Sequence, residues 1–172
     1  MDYKSRSKKL SWLLRHDPDY PFTKGGWRSV DDLCRKHGFT ADEIATIVAE
    51  NDKRRFELSN DGSQVRALYG HSVRIDFDMA QAPPPAALYH GTSENALASI
   101  LSEGINARTR QWVHLCPSID IARQVGSRHG VPVVLTIDTS SMLADGYTFY
   151  NPNPITWLVS DIPPKYINID KG

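Results

Sequence analysis

The sequence has few cysteines and no long apolar segment, and both shortages exclude whole classes of protein. Only Cys34 and Cys116 occur among 172 residues, too few for a disulfide scaffold or a zinc finger. No apolar run approaches the roughly 20 residues that span a bilayer. The first residues, MDYKSRSKKL, lack the apolar core of a signal peptide. We therefore expect a cytoplasmic protein with reduced thiols and no contact with a membrane.

The sequence also lacks an excess of charge of either sign. Lys and Arg number 20, and Asp and Glu number 20, which excludes a polycation that coats nucleic acid indiscriminately. This balance gives no reason to expect more than a monomer. The charges are unevenly spread, with 14 basic and 13 acidic residues in 1–80 but only 6 and 7 in 81–172. Such a change in composition indicates two lobes.

Three consecutive prolines mark the boundary between these lobes. Residues 81–87 read Gln-Ala-Pro-Pro-Pro-Ala-Ala, which cannot continue a helix or a central strand and favours an extended spacer. The sequence therefore predicts a lobe at 1–80, a proline-rich linker at 81–87 and a second lobe at 88–172.

The first lobe has the pattern of three helices followed by a β-hairpin. A helix is predicted over residues 3–16, where three leucines form one apolar stripe, and Ser29 and Thr40 are N-cap residues of two more. Residues 55–58 and 64–68 alternate in polarity on either side of an Asn-Asp-Gly turn. This order is typical of a winged helix, which often binds nucleic acid, but a small structural domain with solvated charges fits it equally well.

The second lobe has short strands and two small helices, so the whole chain is predicted to be α+β rather than doubly wound. It contains no Walker loop and no Gly-x-Gly-x-x-Gly, which argues against a P-loop or Rossmann nucleotide site. The predicted strands are 87–90, 112–116, 131–137, 149–150 and 156–159. The predicted helices are 95–102 and one that begins at 118 and ends at 128 or 129.

Two of these strands carry a histidine, His90 before Gly-Thr and His114 within Val-His-Leu. Taken alone, this pattern is better explained by two partly buried, hydrogen-bonded histidines than by a functional site. Cys116 lies two residues after His114 and would share its face of the strand, but a closed zinc site needs four ligands. We therefore predict no metal site, and we expect Cys116 to be a small buried residue.

Short motifs extend in a fixed order along nearly the whole chain. They are Ser7-Lys8-Lys9-Leu10-Ser11-Trp12-Leu13-Leu14-Arg15-His16, Gly26-Trp27, Asn51-Asp52-Lys53-Arg54-Arg55-Phe56, Arg66-Ala67, Gly70-His71-Ser72, Leu88-Tyr89-His90-Gly91-Thr92, Arg110, Val113-His114-Leu115, Val125-Gly126-Ser127-Arg128-His129-Gly130, Trp157-Leu158 and Ile162-Pro163-Pro164. No single motif is decisive, but the ordered set resembles the RNA 2′-phosphotransferase family, which removes the splice-junction 2′-phosphate of tRNA with NAD+.

The resemblance implies a winged-helix RNA-binding lobe followed by an NAD-binding lobe of the ADP-ribosyltransferase type. The residues implied to bind the 2′-phosphate and catalyse its transfer are Arg15, His16, Arg66 and Arg128. Those implied to bind NAD+ are His90, Gly91, Thr92, His114 and Arg110. His71 is a further candidate for contact with RNA.

The implied reaction consumes NAD+ as a co-substrate and needs no metal. The 2′-phosphate of a tRNA-like RNA attacks the ribose C1″ of NAD+ and nicotinamide leaves. The ADP-ribose 2″-hydroxyl then attacks phosphorus, which releases RNA with a free 2′-hydroxyl and ADP-ribose 1″,2″-cyclic phosphate. Arginine suits this chemistry because its guanidinium is always charged and bidentate toward phosphate oxygens.

One departure from the family pattern lies in the third NAD-site segment, where Pro154-Ile155-Thr156 stand in place of Asn-Gly-Val. Residues 151–160 contain no acid, whereas protein-modifying ADP-ribosyltransferases typically carry a catalytic Glu near this segment. A phosphate acceptor needs no such base, so a phosphate-bearing substrate is favoured. Two alternatives stay open: an ADP-ribosyltransferase that caps terminal phosphates of nucleic acid, and a catalytically silent winged-helix RNA-binding protein.

Overall fold

The computed structural model describes residues 2–169, which form two compact units, one ending at Met79 and one beginning at Ala80. The chain is α+β, as predicted. Strands of the N-terminal unit form an antiparallel sheet in the order β1-β3-β2. Its elements are α1 (Tyr3–Arg15), β1 (Trp27–Ser29), α2 (Val30–His37), α3 (Ala41–Ala49), β2 (Phe56–Leu58) and β3 (Gln64–Ala67).

The helices of the N-terminal unit begin at residues whose side chains cap them. The Asp2 carboxylate accepts from the Ser5 N–H at 2.7 Å, and the Ser29 hydroxyl caps α2. Thr40 and Glu43 form a complete capping box at the start of α3. The three helices and the hairpin predicted from the sequence are confirmed, and β1 is an addition that no pattern indicated.

A buried ion network centred on Arg28 joins β1 to both α1 and α2. The Arg28 guanidinium donates to Asp17 Oδ2 at 2.7 Å, to Asp32 Oδ2 at 2.9 Å and to the Leu13 carbonyl at 2.9 Å. It also lies 2.8 Å from His37 Nε2, which must accept because arginine only donates. Burial and the neighbouring Arg28 lower the pKa of His37, so the network holds a neutral imidazole. These bonds anchor the C-terminal end of α1.

The C-terminal unit contains the elements β4 (Ala87–Ser93), α4 (Glu94–Glu103), β5 (Ile105–Asn106), β6 (Val113–Leu115), α5 (Ile119–Gly126), β7 (Pro132–Asp138), α6 (Thr139–Ala144), β8 (Tyr150–Asn153), β9 (Thr156–Val159), β10 (Asp161–Ile162) and β11 (Ile167–Ile169). A short 3-10 helix spans Pro164–Tyr166. The strands form two three-stranded antiparallel sheets, β11-β7-β4 and β6-β9-β8, and the pair β10-β5.

The two larger sheets meet at a bridge between β4 and the residue after β6. The Tyr89 N–H donates to the Cys116 carbonyl at 2.8 Å, and the Cys116 N–H donates back to the Tyr89 carbonyl at 2.9 Å. This bridge brings the following residue of β4 beside β6. Strands β4 and β6 therefore place their histidines next to each other.

Two sequence-based boundaries in this unit are corrected by the structure, and one helix is added. Strand β4 does not end at His90 but continues through Gly91 and Thr92 to Ser93, because each of these residues pairs with β7. Helix α5 ends at Gly126, two to three residues before its predicted end. A third helix, α6, follows β7 directly where none was predicted.

The proline-rich segment is hydrogen-bonded to the C-terminal unit. The Ala82 N–H donates to the Phe149 carbonyl at 2.9 Å, and the Pro85 carbonyl accepts from the Thr139 hydroxyl. The segment is therefore tied to the start of β8 and to α6. Among residues 2–169, no helix is long and apolar enough to cross a bilayer.

Arg28→Ala should lower the free energy of unfolding by about 3–5 kcal/mol, because buried Asp17 and Asp32 both lose their bonds to Arg28, although Asp32 keeps its ion pair with Lys36. Arg35→Ala is the matched control, since Arg35 pairs on the surface of α2 with Asp31. That change should cost at most about 1 kcal/mol. Urea unfolding followed by circular dichroism measures both, and equal losses would show that the network contributes no more than a surface pair.

Candidate active site

Arg15 is the last residue of α1, and its side chain lies over two aromatic rings. Its Nη1 donates to Ser11 Oγ at 3.1 Å. Its guanidinium carbon lies 5.1 Å from the centre of the Tyr69 ring and 5.7 Å from that of Phe56. A cation at this end of a helix also interacts favourably with the helix dipole. The guanidinium is therefore held by hydrogen bonding and cation–π contact together.

The loop after β3 fixes the end of α1 through backbone and side-chain bonds. The N–H groups of Ser72 and Val73 donate to the Arg15 carbonyl at 3.0 and 3.3 Å. The Ser72 hydroxyl lies 2.8 Å from His16 Nδ1. This loop therefore orients Arg15 and His16 as a pair, a role for Ser72 that the sequence did not reveal.

Arg66 lies on β3 with its guanidinium between two carboxylates. Its Nε donates to Glu57 Oε2 at 2.8 Å, and its Nη1 donates to Asp78 Oδ1 at the same distance. The guanidinium carbon lies 4.4 Å from the centre of the Trp27 ring. Glu57 faces Arg66 directly across the hairpin. The plane of the Arg66 guanidinium is therefore fixed, and both carboxylates are positioning groups that sequence reasoning missed.

His71 is buried beside the cationic residues of this unit. It is only 2% exposed, and neither ring nitrogen has a hydrogen-bond partner within residues 2–169. Burial, reinforced by the positive charges of Arg15, His16 and Arg66, lowers the pKa of His71 to about 3. The imidazole is therefore neutral at physiological pH. The charges of three of the four predicted phosphate-binding residues therefore favour the neutral form of this buried ring.

The Gly91 of the His-Gly-Thr motif allows α5 to pack directly on β4. A Cβ at Gly91 would lie 1.8 Å from the Ala122 carbonyl oxygen, and one at Gly126 would lie 2.4 Å from the Thr92 carbonyl oxygen. Neither contact tolerates a side chain. The position of the α5 C-terminus, after which Arg128 follows, is therefore set by β4.

His90 and His114 are joined through the backbone of β6. The Nδ1 of His90 lies 3.1 Å from the His114 carbonyl oxygen. A carbonyl only accepts, so Nδ1 carries the proton and Nε2 is an acceptor. Burial lowers the pKa of His90, which keeps this neutral form. Arg110 Nη1 lies 3.5 Å from His114 Nδ1, so the structure brings three of the predicted NAD-site residues together.

The hairpin β8–β9 lies beside this histidine pair and contains no carboxylate. His114 faces Leu158 of β9 across the sheet. The Asn151 side-chain amide donates to the Asn153 carbonyl at 2.6 Å and to the Thr156 carbonyl at 2.8 Å, which closes the turn. Asp161 belongs to β10, which pairs with β5 in a different sheet.

Arg128 lies just beyond α5, where its N–H donates to the Val125 carbonyl at 3.2 Å and its side chain is exposed. It belongs to the C-terminal unit, whereas Arg15, His16 and Arg66 belong to the N-terminal unit. A common phosphate pocket formed by all four stays a prediction.

Cys116 is buried, and the single S–H of its thiol is shared between the carbonyls of Tyr89 and Ser118. Burial raises the pKa of the Cys116 thiol, which opposes formation of a nucleophilic thiolate. The prediction of a small buried residue is confirmed. Over residues 2–169, no group of three or more His, Cys, Asp or Glu side chains is arranged to hold a metal ion.

The family model for RNA 2′-phosphotransferases of the Tpt1/KptA family matches residues 2–161 of this chain. The chain belongs to the RNA 2′-phosphotransferase family. It is 43% identical over 171 residues to a probable RNA 2′-phosphotransferase of Acaryochloris marina, covering 95% of this chain and 94% of the relative. A probable RNA 2′-phosphotransferase of Burkholderia pseudomallei is 41% identical over 169 residues, covering 94% and 92%.

Membership of the RNA 2′-phosphotransferase family confirms the resemblance drawn from the ordered motifs. It also makes the protein an enzyme, a transferase. The match spans residues of both units.

The stability of this RNA 2′-phosphotransferase should depend on pH through His71. The unfolded chain protonates this histidine near pH 6.5, whereas the folded protein does so near pH 3. The contribution of the neutral His71 ring to the free energy of unfolding is therefore complete above pH 6.5 and is lost as the pH falls toward 3. Between pH 8 and pH 5 the loss amounts to about 2 kcal/mol.

His71→Gln removes the titrating group. Between pH 8 and pH 5, the free energy of unfolding of this variant should therefore fall by about 2 kcal/mol less than that of the wild type. Urea unfolding at the two pH values measures the difference. Nitrogen NMR of the wild-type imidazole is an independent check, and His71 should stay neutral at pH 5. Protonation of the folded-state ring above pH 5 would contradict the assigned burial effect.

Proposed function

We propose that this enzyme transfers an internal RNA 2′-phosphate to the ADP-ribose of NAD+. The products are nicotinamide, ADP-ribose 1″,2″-cyclic phosphate and RNA with a free 2′-hydroxyl. The observation that carries the proposal is the contrast between the two units. In one, Arg15 and His16 end α1 while Arg66 is fixed on β3, and in the other a histidine pair lies beside a carboxylate-free hairpin.

The N-terminal unit is proposed to be a winged-helix lobe that binds RNA. Support comes from its element order, α1-β1-α2-α3-β2-β3, with an antiparallel three-stranded sheet. In this proposal Arg15, His16 and Arg66 contact the 2′-phosphate. The aromatic and carboxylate partners of the two arginines hold their planes in place, which lowers the entropic cost of forming bidentate bonds to phosphate.

The C-terminal unit is proposed to be an ADP-ribosyltransferase-like lobe that binds NAD+ as a co-substrate. Its donors and acceptors suit a dinucleotide. The Nε2 of His90 offers a lone pair to a ribose hydroxyl, and the exposed Arg110 offers a cation to the diphosphate. Gly91 and the buried Thr92 fix the strand that carries His90.

The absence of an acid from residues 150–159 fits a phosphate acceptor in the first step. A neutral hydroxyl or amide acceptor needs a base to remove its proton, whereas a phosphate dianion is already a nucleophile. In the second step, charge builds on the equatorial oxygens of phosphorus. Fixed guanidinium groups are the expected stabilisers of that charge, and Arg128 is proposed to join Arg15 and Arg66 there.

The proposed function is tested by incubating the protein with NAD+ and a 2′-phosphorylated oligonucleotide. Complete turnover should release the cyclic phosphate together with RNA bearing a free 2′-hydroxyl. An oligonucleotide with only a terminal phosphate is the matched control for a capping activity. A stable ADP-ribosylated adduct as the sole product would indicate capping, and RNA binding without any product would indicate a silent binding protein.

Arg128→Ala should separate the two chemical steps. The first step uses a dianion that Arg15 and Arg66 still hold, but the second must stabilise extra charge at a phosphodiester. Loss of one guanidinium there should slow that step by about 10²- to 10³-fold. A gel time course with labelled RNA should therefore show ADP-ribosylated RNA accumulating in Arg128→Ala.

Arg15→Ala is the comparison, since this change should mainly impair formation of the ADP-ribosylated species. If Arg128→Ala slows the loss of substrate without any build-up of that species, the proposed division between the arginines is wrong.

A further inference from the structure

Trp12 is an exposed aromatic residue on the helix that carries Arg15 and His16. Its side chain is 51% exposed, whereas Leu10, Leu13 and Leu14 of α1 are buried. With 3.6 residues per turn, Trp12 lies on the side of the helix opposite these leucines. The indole is therefore not part of the core of the N-terminal unit, and its exposure calls for another role.

Trp12 lies in a row of side chains on the side of α1 away from the buried leucines, here called the α1 stripe: Lys8, Trp12, Arg15 and His16. Residues three and four apart on a helix are surface neighbours, about 5–6 Å apart at Cβ. The His16 N–H donates to the Trp12 carbonyl at 2.8 Å, so His16 continues the same helical turn. The indole is thus flanked by Lys8 on one side and by Arg15 and His16 on the other.

The charges around Trp12 favour an anionic partner. Helix α1 contains no acidic residue. Its cations Arg6 and Lys9 are used in packing, since Arg6 bonds Glu43 and Lys9 donates to the His37 carbonyl at 2.8 Å. Lys8 is exposed, and the structure gives it no carboxylate partner within the described part of the chain. An exposed aromatic face beside the exposed cation of Lys8 matches a nucleic acid strand, which presents flat bases between phosphates.

We propose that Trp12 stacks on a nucleobase adjacent to the nucleotide whose 2′-phosphate is bound by Arg15 and His16, while Lys8 contacts a phosphate beyond that base. The inference rests on the proposed function and adds a binding residue outside the phosphate site. Stacking on an indole is available to every base, so the contact selects for a base next to the 2′-phosphate without selecting its identity.

The first measurement is fluorescence anisotropy with a labelled 2′-phosphorylated oligonucleotide in the absence of NAD+. Trp12→Ala should raise the Kd about 10- to 100-fold, as expected for the loss of one stacked base, and Trp12→Phe should restore most of the affinity. Tyr3→Ala is the matched control, because Tyr3 is an aromatic residue of the same helix that is 44% exposed but lies outside the α1 stripe. This control should bind like the wild type.

The second measurement uses oligonucleotides in which each base flanking the 2′-phosphorylated nucleotide is replaced in turn by an abasic site. One of these abasic replacements should raise the Kd of the wild type by the same factor as the Trp12→Ala substitution does. The same abasic oligonucleotide should bind the Trp12→Ala variant no more weakly than the intact oligonucleotide does. If the abasic site weakens both proteins equally, Trp12 does not stack on that base. A purely structural role would instead make Trp12→Ala bind every oligonucleotide worse by one factor.

These results are distinguishable from a failure of the proposed function. The wild type could show coupling between Trp12 and one base in the binding measurements but release no cyclic phosphate when it is incubated with NAD+. That result would support the stacking inference and overturn the proposed reaction. Turnover without coupling would overturn the stacking inference alone. Failure of the wild type to bind 2′-phosphorylated RNA would overturn both.

Discussion

Positive charges held close together repel one another, and the N-terminal unit has to offset that repulsion among the residues proposed to bind a phosphate dianion. Glu57 and Asp78 do so for Arg66, since each bonds a different edge of its guanidinium. Burial does so for His71, whose neutral ring adds no charge among Arg15, His16 and Arg66. The cations therefore keep a fixed arrangement in the absence of a ligand, which is the condition for electrostatic stabilisation without reorganisation during the reaction.

The C-terminal unit depends on a different constraint, the close approach of a helix to a strand. Helix α5 contacts β4 backbone to backbone, and a Cβ at Gly91 would clash with the Ala122 carbonyl. The bridge between Tyr89 and Cys116 then brings His90 beside β6, where its Nδ1 bonds the His114 carbonyl. Backbone contacts thus set the tautomer of His90, and no ionisable partner is needed to do so.

Short-range sequence signals predicted those helices and strands whose limits depend on neighbouring residues in the chain. Capping residues such as Thr40 set helix starts, and the hairpin followed from alternation around a turn. The ordered motifs predicted the family. Elements formed by pairing between distant segments were missed, including β1 and the continuation of β4 through Thr92, which faces Val133 of β7. The Glu57–Arg66 pair could have been found from the hairpin register, but the Asp78 contact comes from a loop that no pattern describes.

The central claim is that Arg15, His16 and Arg66 together bind the RNA 2′-phosphate as a dianion. A phosphate monoester loses its second proton near pH 6, and nearby cations lower that pKa because they favour the charged form. Phosphorus NMR of a 2′-phosphorylated oligonucleotide, titrated with and without the protein and without NAD+, measures the shift directly. We predict that the bound 2′-phosphate stays a dianion at pH 5, about one pKa unit below its transition in free RNA. An unchanged transition would contradict the claim, because it would mean that these cations do not contact the phosphate.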